Sequence, residues 1–302
     1  MSEQDETIQG TNASEQERTI QREKTRGQEP LLSTFVETRQ YQRFVEGCQT
    51  CRQHRFIGVC YGEAGVGKTR SARRFTQWDQ MERQLAGESI KEGEEGKGDG
   101  KIAFYTPGTL MSPKRLEQEV LHLHVQMGRL SSLTPPLMQT QGVPRGGYRV
   151  TELNWDLLVI DESDRVKPMG LEVLRDLYDR SQMGLMLIGM PGIEKRLARY
   201  PQFFSRVGFV HEFCALSAEE LREILQQQVY LVDNPGEEDL PATEALDEEA
   251  LAAIIRMTGG NFRLIHRLLT QVERILRINH LSKVTKAVVE AARSSLVFGR
   301  EG

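Results

Sequence analysis

Gly62-Glu63-Ala64-Gly65-Val66-Gly67-Lys68-Thr69 decides the fold. It is a complete G-x4-G-K-T loop, preceded by the apolar run Phe56-Ile57-Gly58-Val59-Cys60 and followed by a helical pattern containing Ala72, Phe75 and Trp78. Strand, glycine loop and helix in that order make an anion site. Gly62, Gly65 and Gly67 permit backbone conformations and close approaches that side chains would block, so successive N–H groups point at phosphate oxygens at a helix N-terminus. Lys68 is then placed to reach β- and γ-phosphates and the Thr69 hydroxyl to bind Mg²⁺, with Glu63, Ala64, Val66 and Arg70 lining the same turn. Four fixed positions of this kind arise by chance roughly once in a hundred chains of this size.

The second half of the site lies downstream, where Leu157-Leu158-Val159-Ile160 reads as a buried strand ending in Asp161-Glu162, a Walker B pattern. Asp161 holds the Mg²⁺ through its waters in this reading. Glu162 orients and deprotonates the water attacking the γ-phosphate. Loop and strand together imply ATP and Mg²⁺.

Outward from these motifs, short apolar runs at Ile102–Tyr105, Asp156–Ile160, Gly184–Ile188 and Val207–Phe213 alternate with helical spacings such as Leu116, Val120, Leu123 and Val173, Leu174, Leu177, Tyr178. A helical face (Tyr41, Phe44, Val45, Cys48, Cys51) precedes the first strand. Strands alternating with helices predict a parallel sheet. Residues 87–100 and 131–149, rich in Gly, Glu, Lys and Pro, read as exposed inserted loops. Beyond Phe213 only helical patterns remain: a capping box at Ser217–Glu220, then Asp247 as a cap, Gly259-Gly260 as a stop, and Asn261 and Ser282 as further caps, giving four helices. The expected architecture is α/β, a parallel five-stranded sheet flanked by helices, plus a small C-terminal all-helical lid. Its parts are a disordered polar tail (1–30), a nucleotide-binding domain (31–215) and the lid (216–302).

The 302 residues are 38% hydrophobic and 27% charged, enough for one sizeable core with a smaller satellite. No apolar run approaches the roughly 20 residues needed to span a bilayer, and MSEQDETIQG lacks the features of a secretory signal, so a cytosolic protein is expected, with no membrane partner. Four cysteines in a chain this long do not make a disulfide framework. Cys48, Cys51 and His54 resemble half a zinc site, but no second Cys or His pair lies nearby and both cysteines share the apolar face of Tyr41 and Phe44, so they read as core packing; His122 and His124 fall on different helical faces; Trp78 and Trp155 read as core. Net charge is −4, but residues 233–250 carry eight acids and no base, whereas residues 251–302 carry nine bases against three acids. That basic stretch receives no assigned role.

The glycine loop, the Asp-Glu strand and the terminal helical bundle together resemble the AAA+ ATPases over about residues 31–300. The entry helix, Val159-Ile160-Asp161-Glu162-Ser163-Asp164-Arg165, Leu187-Ile188-Gly189 and Thr258-Gly259-Gly260-Asn261-Phe262-Arg263-Leu264 look like the TnsC/TniB/MuB group of transposition-regulator ATPases. The resemblance implies an ATPase that oligomerises head to tail, as a ring or helical filament, on duplex DNA without sequence preference. It also implies partners in a transposase and a target-selection protein, in the bacterial cytosol. Arg206, just before the last strand, matches an arginine that completes a neighbour's ATP site, with Arg196 and Arg199 as competitors. Arg263 matches the lid arginine that touches the γ-phosphate of its own chain. DNA contacts map to Lys114 and Arg115, after the cap Ser112 and Pro113, with Ser131, Ser132, Arg145 and Arg149 as weaker candidates; Phe35 and Val36 map to the adenine pocket. One departure stands out: the family places a polar side chain just past the fourth strand, where this chain reads Ile188-Gly189-Met190. Slow turnover that depends on neighbouring subunits or a partner is therefore expected. ExeA-like or signalling ATPases that never touch DNA, and origin-recognition or helicase-loading ATPases, remain alternatives.

Overall fold

The computed structural model of the chain describes residues 35–88, 100–130, 153–233 and 246–296. The polar tail, most of both inserted loops, Ser131, Ser132, Arg145 and Arg149 lie outside them. Of the described residues, 37–215 form one compact unit, while 35–36 with 216–296 form a second.

The first unit opens with α1 (Arg39–His54), capped where the Tyr41 N–H donates to Thr38 Oγ1 at 3.1 Å and ended by Arg55 in the left-handed region. Its apolar face, Phe44, Cys48 and Cys51, is buried against the sheet, so the Cys pair is core packing. Then follow β1 (Ile57–Tyr61), α2 (Lys68–Phe75), α3 (Trp78–Leu85), β2 (Ile102–Tyr105), α4 (Pro113–Leu130), β3 (Leu157–Ile160), a 3-10 turn (Ser163–Arg165), α5 (Pro168–Ser181), β4 (Gly184–Gly189), α6 (Ile193–Leu197), α7 (Pro201–Phe204) and β5 (Val207–Glu212).

The five strands pair in the order β2-β3-β4-β1-β5, all parallel, with Val59 opposite Leu187 and Val159 opposite Met186. β3 and β4 are buried at every residue, as a sheet covered on both faces requires of its aliphatic runs. β5 is an edge strand and alternates instead. Because all strands run the same way, the loops after β1 and β3 leave the same edge of the sheet, where such folds hold ligands.

The helix expected to carry Ala72, Phe75 and Trp78 together is two helices. Thr76 turns its hydroxyl onto Ala72 O at 2.8 Å, Gln77 adopts φ 52°, and Trp78 starts α3 buried against Phe104 at 5.7 Å between ring centroids. Packing on β2, rather than helical period, places that tryptophan.

The second unit contains α8 (Ala218–Asp233), α9 (Glu248–Thr258), α10 (Phe262–Asn279) and α11 (Lys286–Ser294) around Leu221, Leu225, Ile254, Ile265, Leu268 and Val289. Ser217 and Glu220 form the reciprocal capping box, Asp247 accepts from Glu249 N, and Asn261 accepts from Arg263 N at 3.1 Å. Ser282 does not cap the last helix. Val284 is buried, bridges to Leu246 and accepts from Asp247 N, so the chain stays extended through it and Thr285 becomes the N-cap. No helix among the described residues is long and apolar enough to cross a membrane.

Candidate nucleotide site

The glycine loop leaves β1 at Gly62, where a Cβ would lie 2.1 Å from Phe213 O; no larger residue passes beneath the end of β5. Gly67 has φ 113° and N-caps α2, so the loop's N–H groups run into a helix N-terminus. Lys68, only 9% exposed, folds back over its own loop and donates to Gly62 O at 2.6 Å and Glu63 O at 2.8 Å. Burial pulls its pKa down, opposed by Cys60 and by the carboxylates of Asp161, Asp164 and Glu63. The Thr69 hydroxyl donates to Asp161 Oδ2 at 2.7 Å, and Asp161, itself buried, accepts the Glu162 N–H on Oδ1 at 2.9 Å.

These residues fit a magnesium nucleotide. A hydroxyl and a carboxylate in mutual contact are the hard oxygen donors that Mg²⁺ takes. Among the described residues the buried Lys68 ammonium hydrogen-bonds backbone carbonyls, which anionic phosphate oxygens would replace with stronger bonds. Ala64, Gly65 and Val66 complete the cradle, and Arg70 follows on the exposed side of α2.

Glu162 sits just past β3 at φ 51°, ψ 38°, a conformation that costs a non-glycine residue on the order of 1 kcal/mol or more. Its carboxylate lies 3.4 Å from the Arg165 guanidinium. Other elements pin the 3-10 turn that follows it. Arg165 donates to Pro107 O at 3.0 Å; Arg196 on α6 donates to Ser163 O and Asp164 O, each at 2.9 Å; and Asp164 Oδ2 accepts the Met190 N–H at 2.7 Å. The sequence reading gave these residues no part in holding Glu162. Their signal was the polar run Ser163-Asp164-Arg165 directly after it, a run with no place in an apolar core.

The remaining candidates are spread over both units. Arg206, between α7 and β5, makes a two-pronged ion pair with Asp179 at 2.7 and 2.9 Å and also bonds Gln202 O. Arg196 is occupied within its own chain, whereas the exposed Arg199 side chain makes no hydrogen bond or ion pair with another described residue. Arg263 is exposed on the first turn of α10, and Arg267, Arg274 and Arg277 follow it, exposed, along the same helix. Lys114 is exposed on the first turn of α4. Its neighbour Arg115 pairs with Glu119 at 2.7 Å, and the other oxygen of Glu119 takes the Tyr105 hydroxyl at 2.6 Å. Ser112 caps α4 by accepting Arg115 N at 3.2 Å. Val36 packs on the core of the helical unit.

Residues 51–197 match the AAA domain family. A Staphylococcus aureus protein described as "Potential ATP-binding protein" is 39% identical over 271 residues, spanning 88% of this chain and 97% of its own. The chain belongs to the AAA domain family. Solved structures agree on the AAA fold. The Aeropyrum pernix ORC2 protein, in ADPNP–ADP complexes, aligns with a TM-score of 0.56 at 15% identity, over 87% of this chain and 70% of its own. The Thermotoga maritima RuvB Holliday junction branch migration motor gives 0.52 at 15%, over 88% and 71%. The Aeropyrum pernix ORC1 protein in complex with DNA gives 0.52 at 18%, over 87% and 68%. At these identities the likeness is one of fold.

Proposed function

We propose that this AAA protein is a cytosolic ATPase that assembles head to tail on duplex DNA and regulates DNA transposition by recruiting or activating a transposase, with a target-selection protein as a further partner. The observation that carries the ATPase reading is the contact of Thr69 with Asp161 beside Lys68 and Glu162 at one edge of the sheet. Lys68 exchanges Gly62 O and Glu63 O for β- and γ-phosphate oxygens. Thr69 and Asp161 would hold Mg²⁺, which when bound would supply charge neutralisation to those phosphates. Glu162 accepts the proton of the water whose oxygen bonds to the γ-phosphorus as the bond from that phosphorus to the β–γ bridging oxygen breaks, giving ADP and phosphate. Arg206, once it leaves Asp179, serves a neighbouring protomer's site, and Arg263 serves its own.

The DNA reading draws on Lys114, exposed at the start of α4, with Arg115 and Ser132 as companions; one or two cations bind phosphate weakly but sum along an oligomer. RuvB's description as a branch migration motor and the ORC1 complex with DNA support it as fold relatives. The transposition reading draws on the TnsC/TniB/MuB-like runs around Asp161, Gly189 and Gly260.

Sedimentation and electron microscopy of the full chain with duplex DNA, in ATP, a non-hydrolysable analogue or no nucleotide, test the proposal. Assemblies should form with triphosphate and DNA. Lys68→Ala and Arg206→Ala should abolish them, and Lys114→Ala should weaken DNA binding with a shallower salt dependence. Sedimentation as a lone protomer in all three states, with or without DNA, overturns it.

A further inference from the structure

Glu162 reaches its position through a backbone that would relax if released. Three tethers reach the turn that follows it, from three parts of the fold. Two are arginines that donate to backbone carbonyls: Arg165 to Pro107, and Arg196 to Ser163 and Asp164. The third uses a side-chain acceptor of the turn: Asp164 Oδ2 accepts the Met190 N–H at 2.7 Å, at the point where the chain leaves β4. Gly189 makes room for it. A Cβ on Gly189 would stand 2.8 Å from Asp164 Oδ2 and 2.7 Å from Ile193 Cδ1, so a side chain there would displace the carboxylate. The Met190 side chain, 38% exposed and apolar, offers no polar group to the site, yet its backbone N–H is the group that Asp164 holds.

We infer that Asp164 is a positioning residue for ATP hydrolysis: by capping the Met190 N–H over Gly189 it locks the Glu162 turn to the end of β4. This rests on the ATPase reading of the same site and adds to it a role for a side chain that touches neither phosphate nor metal in that scheme. The lock needs an acceptor oxygen of the right length and does not need a charge. An asparagine can supply it through its amide oxygen. Alanine cannot, and a methyl on Gly189 pushes the acceptor away. Nucleotide binding, which belongs to the glycine loop, should be indifferent to all three changes.

The test compares full-length wild type, Asp164→Ala, Asp164→Asn and Gly189→Ala at high protein concentration with Mg²⁺, ATP and duplex DNA. For Asp164→Ala and Gly189→Ala, kcat should fall between about tenfold and about a hundredfold, the cost of misplacing a catalytic group by an ångström or less, with nucleotide Kd changed less than about twofold. Asp164→Asn should recover kcat to within about threefold of wild type, since one acceptor bond is kept. Amide exchange gives a reading independent of activity: the Met190 N–H should be protected in wild type and Asp164→Asn and exchange faster in Asp164→Ala. Thermal melts check that each variant is folded at the assay temperature. An Asp164→Ala enzyme with wild-type kcat, or an Asp164→Asn enzyme as slow as Asp164→Ala, overturns the inference. Wild type that hydrolyses no ATP in any condition overturns the ATPase reading instead, and Met190 exchange then decides whether the tether exists.

Discussion

Replacing Arg196 and Arg206 separately by alanine should separate an internal strut from a group available to a neighbour. Arg196 donates two hydrogen bonds to backbone carbonyls of the turn behind Glu162. Bonds from a charged donor contribute about 1.5–3 kcal/mol each, and water entering at the half-buried site recovers part of that, leaving a loss of about 2–4 kcal/mol. For a unit of this size the loss corresponds to about 4–16 °C in melting temperature. Arg206 makes an ion pair with Asp179, with side-chain exposures of 30% and 37%, worth about 0.2–1 kcal/mol, and its solvent-exposed bond to Gln202 O adds a similar amount, so its removal should shift melting by less than about 8 °C. Thermal melts without nucleotide read these numbers. Mixing experiments then read the role. Glu162→Gln protomers lack the base but keep every arginine. Mixed with Arg206→Ala protomers they should restore ATP turnover, because a site with an intact base can borrow its neighbour's arginine. Mixed with Arg196→Ala protomers they should not, because no site then has both a base and a tethered turn. An Arg196→Ala protein that melts like wild type and is rescued by Glu162→Gln would refute the assignment of Arg196 as a strut.

Three further outcomes follow from the packing. Gly260→Ala places a methyl 2.0 Å from Leu216 O at φ 75°, so it should destabilise the helical unit by about 2–4 kcal/mol, seen as a lower urea midpoint and faster amide exchange in α9 and α10. Burial, with Arg43 adding to it and a backbone bond at Gln40 opposing, holds the His211 pKa below its usual 6.5. The unfolded chain therefore binds the proton first on acidification, and stability should fall as pH drops below 6.5 towards the lowered value. His211→Phe should flatten part of that dependence in urea titrations across pH, leaving the share of His124, whose pKa burial and Lys101 also lower. Among the four thiols, Cys48, Cys51 and Cys60 are buried, the last two pushed up to about 12, and only Cys214 is exposed. A thiol–disulfide reagent should modify one cysteine rapidly in the native protein and all four after denaturation; two fast thiols would contradict the packing of α1 on β1.

The centre of the sheet was legible because β3 and β4 are the short, continuous aliphatic runs that a doubly covered parallel sheet demands, and the glycine loop fixes which strand leads. The nucleotide residues were legible because glycine is required twice, at Gly62 by the close approach of Phe213 O and at Gly67 by a left-handed backbone. Misreadings arose where two local solutions were equally good. Phe75 and Trp78 fit one helix by spacing, and only the contact of Trp78 with Phe104 on β2 breaks it at Gln77. Ser282 and Thr285 are both capping residues, and the Leu246–Val284 bridge chooses between them. What one dimension could not show at all is which arginine is occupied. Arg196, Arg199 and Arg206 lie within a short stretch of sequence, yet one is a strut, one is ion-paired and one makes no side-chain bond to another described residue.

That difference bears on how turnover is controlled. In the protomer by itself Lys68 is held by Gly62 O and Glu63 O, Thr69 by Asp161, Glu162 by Arg165, and Arg206 by Asp179. On the proposed reading, each of these partners must be given up before hydrolysis. An exposed pair costs about 0.2–1 kcal/mol to break and a hydrogen bond with a charged partner about 1.5–3 kcal/mol, so together they set a threshold of several kcal/mol. The triphosphate offsets the part at Lys68 and Thr69. Nothing in the nucleotide offsets the rest: on that reading the Arg206–Asp179 pair would open to a neighbour's phosphates, and the Arg165 bond to Pro107 ties Glu162 to the loop that leads into Lys114. A lone protomer with bound ATP should therefore remain slow, and contacts from a second protomer and from whatever Lys114 engages should supply the remaining free energy.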